Sequence, residues 1–274
     1  MTFKRRCWIV TLCLAAAVRA EDAAKEPESK EPEVIAEPQV LIKPEPVGRT
    51  WMFQEEARVP APLQAVAFSR LTYSAGSSPT RPFATNLGNP GAMLELGGEI
   101  GLFRSVSVQF TGAQGEVQSS NASGTGALVG LRWGALQERS TRLVVSAGYL
   151  HELTGGDGAW SSVLFEQDIS RVRMTLSVLG EHVFGQGRDG IDILVRAGAD
   201  TAIVGPLRVG LEYVGQDLEE LAAEEAEGGA RHLVAGVIGV KLLSERLSIV
   251  GGPAVNLASE GNRILGRLAI AYTF

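Results

Sequence analysis

Three histidines, two adjacent serines and one dense block of carboxylates are the residues whose types invite chemistry. His151, His182 and His232 could act as general bases or as metal ligands, since a neutral imidazole does both at ordinary pH. Ser161 or Ser162 could supply a nucleophile beside one of them, as a hydrolase at a membrane rim would need. Such a site needs a nucleophile, a base and a third group that orients the base. The spacing supplies no such trio. His151 and His182 share parity with the apolar residues of their own segments, and His232 lies several segments further on. The plainer reading is a set of polar side chains at headgroup level, so no catalytic residue is assigned and the chain is not read as an enzyme.

Residues 217–229, DLEELAAEEAEGG, carry six acids and no base. Hard divalent cations would suit them, but the fixed spacing and turn glycine of a calcium loop are missing. A like-charged block usually stays hydrated. Gly124-Thr125-Gly126 sits in a strand and loop context with no helix following, so it is not read as a phosphate cradle. No metal site and no cofactor are expected.

The remaining candidates are charges dispersed along the chain: Glu95, Glu99, Arg132, Arg173, Arg196, Arg208, Glu212 and Arg267. Each alternates with apolar neighbours. Leu94 and Leu96 flank Glu95, Leu131 and Trp133 flank Arg132, and Val172 and Met174 flank Arg173. Side chains of a strand alternate faces, so these segments are strands with one oily face and one charged face. The same period of two runs through Val106–Phe110, Ile191–Val195, Leu207–Tyr213 and Ile264–Phe274. Further candidates cover 61–74, 142–152, 159–167, 230–242 and 246–257, and in 230–242 both faces are apolar. Together they make about twelve strands, the even number that bacterial barrels use.

Gaps between these runs alternate between short and long. Phe103-Arg104-Ser105, residues 137–141 and 168–171, Gly205-Pro206 and residues 243–245 are tight. Residues 75–90, 115–123, 154–158, 185–190, 217–229 and 258–261 are longer or glycine-rich. Short turns on one side and longer loops on the other are the habit of an up-and-down membrane barrel. Phe103, Trp133, Tyr149, Phe184, Tyr213, Tyr272 and Phe274 fall near run ends, where aromatic girdles belong. A soluble sandwich would bury its second face, and charges mixed with glycines do not suit that. The expected fold is therefore all-β: a closed antiparallel up-and-down transmembrane barrel over residues 61–274.

Two segments precede it. Residues 1–20 read as a cleaved export signal: Lys4, Arg5 and Arg6, an apolar stretch too short to span a bilayer, then Val18-Arg19-Ala20. Cleavage would remove both cysteines, Cys7 and Cys13, and four basic residues, so the net charge of −6 becomes −10. A chain that acidic has no electrostatic footprint for nucleic acid. Residues 21–60 are rich in Pro and Glu and read as a solvated periplasmic tail or linker. Their sharper reading is an arm contacting a periplasmic or cell-wall partner, with Trp51, Met52 and Phe53 as its apolar hook; they could also enter the barrel from the periplasmic side.

The last strand, Leu268-Ala269-Ile270-Ala271-Tyr272-Thr273-Phe274, resembles the C-terminal signature of Gram-negative outer-membrane β-barrel proteins. That resemblance implies an outer-membrane location, lipid as the surrounding partner, and recognition of Tyr272 and Phe274 by the barrel assembly machinery. Function follows as a class. The eight charges would line a passive, porin-like pore for small polar solutes, with mixed signs giving little charge selectivity. The alternatives are a structural or interaction barrel closed by ion pairs, and an outer-membrane hydrolase.

Overall fold

A computed structural model describes residues 51–53, 55–74, 91–117, 123–152, 156–184, 191–216, 231–257 and 264–274. The signal-like residues 1–20, most of the acidic tail, the acidic block at 217–229 and most of the longer gaps lie outside the described residues.

Twelve strands form one closed sheet. They are β1 (Ala65–Ser74), β2 (Gly91–Phe103), β3 (Val106–Val117), β4 (Ser123–Gln137), β5 (Thr141–Glu152), β6 (Gly156–Ile169), β7 (Val172–Val183), β8 (Asp192–Val204), β9 (Leu207–Gln216), β10 (Arg231–Leu242), β11 (Leu247–Asn256) and β12 (Ile264–Thr273). Each pairs antiparallel with its neighbours in sequence, and β1 pairs with β12 to shut the ring. The seam runs from Val66 opposite Thr273 to Ser74 opposite Leu265, with Phe274 N–H donating to the Ala65 carbonyl at 2.9 Å. Closure leaves no strand edge with unpaired backbone groups, which hydrocarbon would not tolerate.

The hairpins turn where short gaps were expected, at 104–105, 138–140, 170–171, 205–206 and 243–246. Gly205 takes φ of 53°, a left-handed conformation that glycine adopts without a Cβ penalty. The start of β1, the end of β12 and the tight turns thus share one end of the barrel, called here the turn end.

Outside, the sheet is oily. Leu94, Leu96, Leu131, Val163, Phe165, Met174, Leu176, Leu211, Leu268 and Ile270 all face outward and are exposed. Cross-strand partners Val163 and Val178 carry the band from β6 to β7. Monomeric soluble proteins rarely expose so broad an apolar surface. Phe103, Trp133 and Phe274 stand exposed near the turn end; Tyr149 and Phe184 stand exposed at the opposite end.

Inside, the wall has two characters. On β1–β7, Arg70, Glu95, Glu99, Gln109, Arg132, Arg142, Glu166 and Arg173 point inward and are buried. On β8–β12 the inner wall is mostly apolar: Leu194, Val214, Leu233, Ala235, Val237, Val250, Ala254 and Leu265. This resolves the two-sided run at 230–242, where Val234 and Ile238 face outward while Leu233, Ala235 and Val237 face in.

Residues 51–53 and 55–60 run inside the barrel, and the first of them cover that wall. Met52 and Phe53 pack on it and are buried, as is Trp51. Ala57 packs against Val144 and Leu164, with Val59 beside them. The segment meets the turn end where Pro62 bridges Gly101 and Leu63 N–H donates to the Gly101 carbonyl at 2.9 Å. A Cβ at Gly101 would stand 2.1 Å from the Ala61 carbonyl oxygen, so only glycine lets the chain cross β2 this closely. From there the segment, termed the strap below, reaches the level of Glu212 and Arg267 in the middle of their strands. The apolar hook Trp51, Met52 and Phe53 is spent inside the barrel.

Candidate functional site

Strand parity alone places the lumen's charged groups, because every second residue must point inward. All eight charges singled out from the sequence sit on the inner parity of their strands. Glu99 and Arg132, on β2 and β4, meet at 2.5 Å, and Ser107 Oγ on the intervening β3 donates to Glu99 at 2.5 Å. Glu95 lies between Arg70 at 3.5 Å and Arg267, which hydrogen-bonds its Oε2. Arg267 also stacks over the Phe53 ring, 4.7 Å from its centroid. Arg208 Nε donates to Asp200 at 2.5 Å. Arg173 stands 3.1 Å from Asp168 and 3.2 Å from Glu56. Such pairing offsets part of the cost of holding these groups away from bulk water.

Glu212 and Arg196 behave differently. Glu212 takes its hydrogen bonds from the strap's backbone: Met52 N–H reaches one carboxylate oxygen at 2.5 Å and Phe53 N–H the other at 2.9 Å. Arg196 lines a cavity of about 50 Å³ with Arg70, Gln109, Thr111, Ser162 and Trp160. A cavity of that size holds a water or two, not a solute.

Sequence reasoning passed over the acids and bases that complete the network. Arg142 hydrogen-bonds Glu166 and lies 2.8 Å from Asp168. These three sit close to the turn end, on strands whose alternation is weak, though their parity was correct and could have flagged them. Glu55 and Glu56 had no such signal. They belong to no periodic run, yet Arg132 donates to the Glu56 carbonyl at 2.7 Å and lies 3.8 Å from the Glu55 carboxylate. Lys241, 3.8 Å from the Glu56 carboxylate, was hidden in the two-sided strand.

At the turn end the lumen opens into a vestibule of about 570 Å³, lined by Arg58, Arg173, Arg208, Lys241, Glu245 and the Gly205-Pro206 turn. At the other end stand the histidines. His151 Nδ1 is 2.7 Å from Asp157, which also accepts from the Tyr149 hydroxyl. His232 pairs with the Tyr213 hydroxyl at 2.7 Å, and His182 meets the Phe184 ring edge-on. Their partners are an acid, a phenol and a ring rather than a nucleophile. Ser161 faces outward and Ser162 inward, and among the described residues neither hydrogen-bonds a histidine. Gly124-Thr125-Gly126 is part of β4. Tyr272 and Phe274 pack edge to face at 4.9 Å beside the seam.

A sheet of twelve antiparallel strands, oily outside and charged within, has counterparts among solved structures. The structure described as NanC porin superposes with a TM-score of 0.57 at 7% identity, covering 75% of this chain and 98% of that one. KdgM porin gives 0.54 at 7% identity, covering 76% and 99%. The fold is a porin fold. At such identity the likeness reaches no further than the path of the backbone. It does account for nearly the whole of each neighbour, so the porin barrel is matched from end to end rather than in part. No protein-family model and no curated protein matches the chain.

Proposed function

We propose that this porin-fold barrel is a passive outer-membrane channel for small polar solutes, with the turn end in the periplasm. The observation that carries this reading is the contrast between faces: a continuous apolar exterior around an interior wall of Arg, Glu, Asp, Ser and Thr side chains. Lipid explains the exterior. Water or a polar guest would suit the chemistry of the β1–β7 inner wall. A KdgM porin of the same fold is described in complex with disordered oligogalacturonate, which makes acidic oligosaccharides one solute class to test here. In this lumen both signs are interleaved, so discrimination by charge should be slight.

The strap favours a second reading, a barrel closed at rest. Residues 51–60 fill the middle of the lumen, and the inward charges are tied to one another and to Glu56. Planar-bilayer recording of the purified full chain separates the two. Under the channel reading, wild-type protein gives rare small openings. Replacing Met52→Asp and Phe53→Asp, which the apolar wall will not accept, multiplies open time about tenfold or more. A folded variant that stays silent, and that admits no solute into loaded liposomes, overturns the channel and leaves an interaction barrel.

A further inference from the structure

The strap is held as a peptide ligand is held. Barrel groups read its main chain at four places: Glu212 accepts the N–H groups of Met52 and Phe53, Arg132 donates to the Glu56 carbonyl, and Glu166 accepts from Ala57 N–H at 3.4 Å. Gln137 brackets the next stretch, its amide donating to the Ala57 carbonyl at 2.9 Å and accepting from Val59 N–H at 3.4 Å, much as a strand edge would. Side chains are read as well. Met52 and Phe53 lie on the apolar wall, and the Glu56 carboxylate lies between Arg173 and Lys241.

Removal of the strap would take from Glu212 its two peptide N–H donors and would wet the apolar wall, and exposing that wall to water is costly. The best replacement has adjacent N–H donors and apolar side chains together. We infer that the lumen is a peptide-binding site, occupied in cis by residues 51–53 and 55–59, which accepts in trans a short peptide with two adjacent apolar residues and a carboxylate three positions later. Main-chain hydrogen bonds would supply affinity and the wall specificity, as in strand-addition recognition. This goes beyond passage of polar solutes and does not depend on it.

The test uses the full chain in detergent micelles and a fluorescent synthetic peptide of residues 49–60, RTWMFQEEARVP. The Met52→Asp/Phe53→Asp chain should bind it about tenfold or more tightly than wild type, whose site is filled. The same peptide carrying those two aspartates should bind neither protein. Adding Glu212→Gln to the variant chain should weaken binding several-fold. Equal affinity of native and substituted peptides, or no binding to a variant that keeps its heat-shifted barrel band, overturns the inference. Should the double-aspartate chain not fold, a Met52→Cys chain gives the same decision. Native peptide must speed maleimide labelling of that cysteine; an unchanged rate overturns the proposal. Conductance without peptide binding defeats this inference alone, and peptide binding by a silent barrel defeats only the channel.

Discussion

Arg132 does three things from one guanidinium: it neutralises Glu99, steadies the Glu56 carbonyl, and stands near Glu55. Because Glu99 is buried, loss of that guanidinium leaves a carboxylate to which the Ser107 hydroxyl still donates but no cation is paired through Arg132. Breaking a buried pair from one side costs about 3–5 kcal/mol, whereas replacing both members by apolar residues is often nearly neutral. Arg132→Met should therefore lower the unfolding free energy of the barrel by that order, seen as a lower urea midpoint, and Arg132→Met/Glu99→Leu should regain much of the loss. The comparison is an unfolding titration followed by the shift in gel mobility. Failure of the double variant to recover would mean that the contact with Glu56, rather than the pair, is what Arg132 supplies. The charged positions themselves were legible because they interrupt an apolar period of two. Their partners were not: pairing is a property of neighbouring strands, and no single run of sequence states which residue stands opposite.

Strands announce themselves unequally. Where one face meets lipid and the other a polar lumen, as in β7 with Val172, Met174, Leu176 and Val178 outward, the alternation fixes both element and orientation. Where the inner face is covered by apolar chain, as in β10, the alternation vanishes although the strand is as regular as the rest. The strap explains that blind spot, and it was itself illegible as an element. It is too short and too irregular to show a period, and its meaning lies in partners more than a hundred residues away, such as Glu212 and Glu166. A direct test at this scale places a charge on the lipid side of a well-read strand. Leu176→Arg should cost about 2–4 kcal/mol of folding stability in bilayers if that face lies near the midplane. A loss no larger than that of Leu176→Ala would contradict the lipid-facing assignment.

For the molecule as a whole, the last strand carries a second duty. Phe274 is exposed on the outside of the turn end, touching Tyr272 and completing the seam through its backbone to Ala65. Its side chain buries little, so it should contribute little to the finished barrel. If Tyr272 and Phe274 are read by an assembly machinery, Phe274→Ser should reduce the amount of folded protein reaching the outer membrane several-fold while leaving the urea midpoint of the purified barrel almost unchanged. A fall in both together would assign the residue to stability instead. The closed twelve-strand architecture was legible because turn lengths, strand parity and terminal strand agree independently. Entry of the tail into the barrel was raised from sequence only as an option, since composition marks residues 21–60 as solvated and only a handful of apolar residues at their end, Trp51, Met52 and Phe53, are buried in the barrel.

Time enters through the strap's position. Its hydrogen-bond partners lie on β4, β6 and β9, separated from it by up to 160 residues, so its full set of contacts cannot form until β9 is in place. Loops that long close late, because their entropy must be offset by contacts not yet made. Yet once β1 meets β12 the ring is sealed sideways, and the segment's only routes inward are along the axis. A strap that docks after closure must therefore enter through an open bore, and one that docks earlier must ride on the curling sheet as it shuts.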